Sequence, residues 1–149
     1  MSTPHYLRPK RLDKAMNGLV GWLARHGVSL VGAAELSVRG RTSGEWRRLP
    51  VNPLPYDGGP YLVSARGDSE WVRNMRAAGG GRLQVGRSTR EFTAAELTDD
   101  EKPAVLRAYL AKWGWQVGRF FGGVTADSTD AELLAAAHRH PVFRLAVTT

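Results

Sequence analysis

The stretch Gly40-Arg41-Thr42-Ser43-Gly44-Glu45-Trp46-Arg47-Arg48, followed by Ser64-Ala65-Arg66-Gly67 and then by Trp71 and Asn74, decides how the rest of the chain is read. Gly40 and Gly44 permit sharp turns and close backbone approach, so N–H groups there can face an anion. Thr42 and Ser43 add hydroxyl donors, and Arg41, Arg47 and Arg48 add guanidinium forks that match phosphate or carboxylate. The same composition also makes a plain hairpin turn with solvated arginines. Ser64, Ala65 and Gly67 are small residues at a strand end, where a flat ring can lie on the backbone within reach of Arg66. An ordinary strand-to-helix loop has this composition too. Trp71 and Asn74 are three apart on the following helix and share a face. Asn74 offers a donor and an acceptor to a heterocycle edge, while Trp71 also suits the core.

Outward from this stretch, the periodicity predicts short strands joined by turns. A first strand runs over about 30–38 and a second passes through Leu49, Val51 and Leu54. Pro50, Pro53 and Pro55 confine that second strand to an edge or a bulge, because proline cannot donate to a ladder. Asp57-Gly58-Gly59 is a hairpin signal. Further strands are expected at 61–63, 83–85, 91–94 and 142–147, with a turn at 86–88 and a helix at about 70–78 stopped by Gly79-Gly80-Gly81. Thr98 to Glu101 reads as a capping box for a helix to about Lys112, with Pro103 tolerated near its start. Thr129 to Glu132 repeats the signature before a short helix to about His138. At the other end, 10–26 reads as an amphipathic helix, with Leu12, Ala15, Met16, Leu19 and Leu23 on one side and Lys10, Arg11, Lys14 and Arg25 on the other. Such a helix caps the core with its polar face solvated, or, carrying Trp22, rests on an anionic membrane surface. The pattern predicts a mainly β fold with peripheral α: a small antiparallel barrel of about six strands, with C-terminal helices. One domain over 1–149 is expected, with 1–27 as its N-terminal helical segment.

The 149 residues suffice for a real core, and the absence of cysteine excludes disulfides, thiol catalysis and cysteine-based metal sites. No apolar run spans a bilayer, and 19–23 is too short and mixed for a secretory signal. Cytoplasmic residence is the expectation, with membrane association through the first helix as a variant of it. The net charge of +7 is uneven: residues 1–50 carry nine Lys/Arg against three Asp/Glu. Localised charge calls for an anionic partner, whether nucleic acid, anionic lipid or a polyanionic small molecule. His138 and His140 are two apart while His5 and His26 stand alone, so no metal site is expected. No nucleophile elbow or Ser-His-Asp signature is present. Any redox or transfer chemistry must then come from a cofactor.

Taken together, these segments resemble the deazaflavin (coenzyme F420)-dependent nitroreductase and oxidoreductase family, whose fold is a split β-barrel of the FMN-binding type. The resemblance is carried by the amphipathic helix, the Gly-Arg-x-Ser-Gly loop with Arg47 following it, the proline-rich strand, the Ala-Arg-Gly turn and the Trp-x-x-Asn helix. It implies coenzyme F420 (an 8-hydroxy-5-deazaflavin with a ribityl phosphate and an oligoglutamate tail), with FMN or FAD on the same barrel as the alternative. By matched position, Arg41, Thr42, Ser43, Arg47 and Arg66 would hold the phosphate and tail, with Arg48 nearby. Pro50, Val51, Asn52, Ser64, Ala65, Gly67 and Asn74 would line the ring, and Trp71 would stand behind it. The implied reaction is hydride transfer to a quinone, a nitroaromatic or an activated enone, an apolar or aromatic acceptor, with Asn52 and Ser64 as candidate proton donors. A polyanionic tail accounts for the basic N-terminal half without nucleic acid. Against this stand a non-enzymatic basic module for nucleic acid or membrane, and a carrier that binds the cofactor without turnover. Thr42 departs from the family, whose members often have lysine there, and Arg66 keeps the charge. The C-terminal third offers Tyr109, Trp113, Trp115, Phe120 and Phe121 in place of a tyrosine-rich pattern. Oligomeric state and acceptor are left open.

Overall fold

Ala34, Leu36 and Val38 are buried while Glu35, Ser37 and Arg39 alternate with them, and this period of two makes Ala34–Arg39 (β1) a strand with one covered face. The computed structural model describes residues 34–57 and 59–147. After β1 come β2 (Trp46–Val51), β3 (Leu54–Tyr56), β4 (Gly59–Val63), α1 (Glu70–Ala78), β5 (Gly80–Val85), β6 (Ser88–Glu96), α2 (Pro103–Val117), α3 (Asp130–Ala136) and β7 (Val142–Val147). The helix expected at 10–26, and the 30–33 portion of the first strand, lie outside the described residues.

The strands form one seven-stranded sheet in the order β2-β1-β5-β6-β7-β4-β3, antiparallel throughout. The prolines sit where physics permits them, Pro50 in edge strand β2 and Pro55 in edge strand β3. These two edges are consecutive in the chain and joined only by Asn52 and Pro53. In a flat sheet seven strands at about 4.8 Å spacing would hold the edges roughly 29 Å apart. Two linking residues reach only about 11 Å. The sheet therefore curls into a half-barrel, consistent with a split barrel, and its seam, which no ladder closes among the described residues, runs between β2 and β3.

The strand expected through Leu49, Val51 and Leu54 is thus two strands, because Pro53 breaks the ladder, and the described residues form seven strands rather than about six. Gly79 ends α1 in the left-handed region (φ 74°), with its N–H on the Met75 carbonyl. Gly80 and Gly81, expected to help stop that helix, belong to β5, where a Cβ would stand 2.3 Å from the Phe92 carbonyl oxygen and 2.4 Å from that of Ser37. Thr98 and Glu101 do form a capping box, yet it closes a short turn at Asp99–Glu101. The helix proper starts at Pro103 and continues past Lys112 to Val117.

Both faces of the curl are covered where β4 and β7 run. Inside, α1 sets Val72 and Met75 against Leu36, Leu83, Val85, Phe92, Phe143 and Leu145. Outside, Leu54, Tyr61, Val63 and Val142 meet Leu106, Tyr109, Leu110 and Trp113 of α2 and Leu133 of α3. Leu62 faces one cluster and its neighbours Tyr61 and Val63 the other, which is why this strand is apolar without alternation. Arg76 ties α1 to β6, donating from Nε and Nη2 to the Glu96 carboxylate at 2.8 Å.

Candidate functional site: a two-chambered cleft at the seam

The loop after β1 folds on itself. Gly40 N–H donates to the Glu45 carbonyl at 2.7 Å, Gly44 N–H to the Gly40 carbonyl at 2.9 Å, and Glu45 N–H to Ser43 Oγ at 3.1 Å. Arg41 N–H donates to Asn74 Oδ1 at 3.1 Å. These four donors are spent within the protein, so recognition of an anion falls to the loop's side chains and to its remaining backbone N–H groups, those of Thr42 and Ser43. A Cβ on Gly40 would lie 3.3 Å from Arg47 Nε, so the bare glycine makes room for that guanidinium.

Arg41, Thr42, Ser43, Arg47 and Arg48 together line a chamber of about 600 Å³, opposite Ser69, Glu70, Trp71 and Asn74 of the α1 start. Arg41 is held in place by Asn74, whose buried Oδ1 also accepts from Nη1 at 2.8 Å. The second partner of Nη1 is Glu70 Oε1 at 2.9 Å. That bond, and the field of Arg41, Arg73 and Arg47, hold the Glu70 carboxyl below its ordinary value.

A second chamber, about 270 Å³, opens beside the first. Pro50, Val51 and Asn52 of the seam form one wall; Ser64, Ala65 and Arg66, in the turn leaving β4, form another. Tyr109 and Val117 of α2, with Phe120 just beyond it, close the far side. Leu49, Ser69 and Trp71 line both chambers, so the two lie side by side. Trp71 is braced by Phe143, with ring centroids 5.8 Å apart. Ser69 Oγ, at the junction, is buried with no hydrogen-bond partner among the described residues.

The turn that forms the ring-sized chamber is pinned from behind. Ser64 Oγ donates to the Gly67 carbonyl at 2.7 Å and Ser64 N–H to the Pro141 carbonyl at 2.9 Å. His140 Nδ1 lies 3.1 Å from the Ser64 carbonyl, and burial keeps this imidazole below its ordinary pKa. Its neutral form donates from Nδ1. Across the cleft, Asn52 Nδ2 donates to Gln116 Oε1 at 3.1 Å, linking the seam to α2. The Phe120 ring carries two guanidiniums, those of Arg66 at 4.6 Å and Arg119 at 4.8 Å.

The structure thus brings the sequence-predicted residues together, with three differences of placement. Arg66 lines the smaller chamber rather than the one built by the loop arginines, and Asn74 lines the larger one, its acceptor engaged by Arg41. Gly67 lines neither; its positive φ of 77° serves the turn. Leu49, Ser69, Glu70, Val117 and the placement of Tyr109 and Phe120 escaped sequence reasoning. Ser69 was readable as a helix cap. The contribution of α2 carries no local signal, since only the sheet order sets that helix against the seam. No cluster of three metal-ligating side chains occurs among the described residues, and no helix there is long and apolar enough to cross a membrane.

A family profile described as F420H(2)-dependent quinone reductase matches residues 13–117, more than half of the chain and nearly the whole cleft. The chain belongs to the F420H(2)-dependent quinone reductase family. It is accordingly an oxidoreductase, and its cofactor is coenzyme F420. Solved structures share its fold at low identity. The F420-H2 dependent reductase FDR-A is 18% identical at a TM-score of 0.51, covering 78% of this chain and 96% of that one. An FAD-binding protein from Mesorhizobium loti is 18% identical at 0.54, covering 78% and 80%. A protein of unknown function from Agrobacterium tumefaciens is 17% identical at 0.59, covering 78% and 48%. No curated protein matches the sequence.

The cleft fits a cofactor of this kind. A narrow chamber walled by small and apolar groups suits a flat ring. The larger chamber, with its three loop arginines, suits a phosphate and a carboxylate tail. The orphaned Ser69 hydroxyl stands where ring and tail would join.

Proposed function

We propose that the smaller chamber seats the deazaflavin ring of coenzyme F420, that the basic chamber seats its phosphate and glutamate tail, and that the acceptor is a quinone, a nitroaromatic or an activated enone. The observation that carries this reading is the adjacency of the two chambers, which share Leu49, Ser69 and Trp71 as lining residues.

Bound there in its reduced form, the deazaflavin supplies the hydride. The chain's own residues orient and shield. Ala65 and Pro50 offer flat, small walls, Trp71 is held rigid by Phe143, and Val117 and Phe120 screen the chamber from water. Ser64 Oγ and Asn52 Nδ2 are both committed to other partners, so neither is the better proton source. Tyr109 lines the same chamber, and burial pushes its phenol well above its ordinary value of 10. It stays protonated at neutral pH and donates a hydrogen bond to the negative charge that develops on the acceptor, whose proton then comes from solvent.

Titration with reduced coenzyme F420, following its fluorescence, tests the reading. Saturable binding at micromolar concentration is expected, weakened by Arg41→Ala or Arg47→Ala. Absence of binding at that concentration overturns it.

A further inference from the structure

Glu70 is out of character with its surroundings. Among the described residues, the chamber formed by Arg41, Arg47 and Arg48 has a single carboxylate in its lining, and that carboxylate is bonded to the very guanidinium an incoming anion needs. The two partners of Arg41 differ in kind. Asn74 is buried and takes both the backbone N–H and Nη1, so it holds the residue wherever the ligand is. Glu70 is 74% exposed at its side chain, sits at the first position of α1 and has solvent on its outer side. Arg73 lies beyond it, Nη1 3.7 Å from Glu70 Oε2, ready to receive the carboxylate if it leaves Arg41.

From this geometry we infer that Glu70 is an exchangeable counter-ion and the specificity-determining residue of the basic chamber. It occupies Arg41 until an anion able to engage several arginines displaces it toward Arg73. The inference rests on reading this chamber as the seat of the cofactor's anionic tail.

The consequence is selection by charge number. A small anion that can bond only one guanidinium must break the Arg41–Glu70 bond for one bond of its own, and gains little. A polyanion bonds Arg41, Arg47 and Arg48 together, and the loss of one internal contact is a small fraction of its gain. Glu70 thereby keeps abundant small anions out of a site that needs its arginines vacant. A carboxamide at position 70 retains the shape and the helix start without the charge.

Calorimetric titration with inorganic phosphate, and fluorescence titration with reduced coenzyme F420, separate the possibilities for the wild-type chain, Glu70→Gln and Glu70→Ala. Both variants are expected to bind inorganic phosphate about two- to fivefold more tightly than wild type, the range for removing one partner of an exposed ion pair that competes for the site. Coenzyme F420 should tighten by a visibly smaller factor. Glu45→Gln, on the same loop but outside the chamber, should match wild type in both titrations. Equal phosphate affinity in wild type and both Glu70 variants overturns the inference. So does an equal gain for phosphate and cofactor, which would indicate general charge repulsion. The phosphate arm needs no cofactor, so failure of coenzyme F420 to bind any variant overturns the proposed function and leaves the phosphate comparison to judge Glu70.

Discussion

The imidazole of His140 lies flat on the ring of Phe121, centroids 3.8 Å apart and planes 13° from parallel, while its Nδ1 meets the Ser64 carbonyl at 3.1 Å. One buried histidine therefore fixes the turn that forms a wall of the cleft.

That placement makes stability pH-dependent with a definite sign. Burial lowers the pKa of His140 below its ordinary 6.5, the hydrogen bond to Ser64 opposes the shift, and the positive charges of Arg139, Lys102 and His138 add to it. The unfolded chain takes up a proton near its ordinary value; the folded chain resists until lower pH. The contribution is thus complete above about pH 6.5 and is lost as pH falls from there toward the depressed value. Urea midpoints should be level from about pH 8 to 7 and decline below about 6.5 in the wild type. His140→Gln should lack that part of the decline. Parallel curves for the two proteins would refute the assignment.

Asn74→Ala removes the acceptor of two bonds from Arg41 and leaves a backbone N–H without its partner. A loss of about 1–3 kcal/mol is expected from urea unfolding. Coenzyme F420 should also bind more weakly, because the loop would no longer be tied to α1. Unchanged affinity would show that the loop keeps its shape without Asn74.

Adjacent glycines should respond very differently to alanine. At Gly80 the added methyl meets the Phe92 carbonyl at 2.3 Å, in a paired strand that cannot retreat. Gly80→Ala should cost at least about 3 kcal/mol, the upper end for overpacking. At Gly79 nothing lies within 4 Å, and only the left-handed backbone resists. Gly79→Ala should cost about 1–2 kcal/mol. Denaturant midpoints in the reverse order would contradict the register of β5 against β6.

Tyr109→Phe keeps the ring that fills the space and deletes the donor. Turnover should fall about a hundredfold or more, the range for losing one preorganised hydrogen-bond donor to developing negative charge, while the dissociation constant for coenzyme F420 stays near that of the wild type. Because burial raises the phenol's pKa above 10, the wild-type rate should show no loss from its ionisation up to that pH. A parallel fall in binding and turnover would make Tyr109 a packing residue only.

Much of the fold was legible because its signals are local. The Trp-x-x-Asn segment gave a helix from Glu70 to Ala78, and the alternation after Pro141 gave β7. The basic loop and the Ser64 turn were legible as candidate site residues for the same reason, since glycine and arginine chemistry is written in short motifs. What escaped was non-local. The bond from Arg41 to Asn74 spans 33 residues and that from Asn52 to Gln116 spans 64. The roles of Tyr109 and Phe120 depend on α2 crossing the outside of β3 and β4. Pro53 was visible, yet its effect, a strand parted into the two edges of the sheet, exists only once the sheet curls.

The position of β7 bears on how the protein comes off the ribosome. Without Val142–Val147 the described strands fall into two pieces, β2-β1-β5-β6 and β4-β3, with no ladder between them. The first piece carries the arginine loop and the second carries the Ser64 turn, so a nascent chain halted before Val142 would hold both halves of the cleft without joining them. Assembly of the binding site therefore waits on the docking of β7, and cofactor retention reports that this strand is in place.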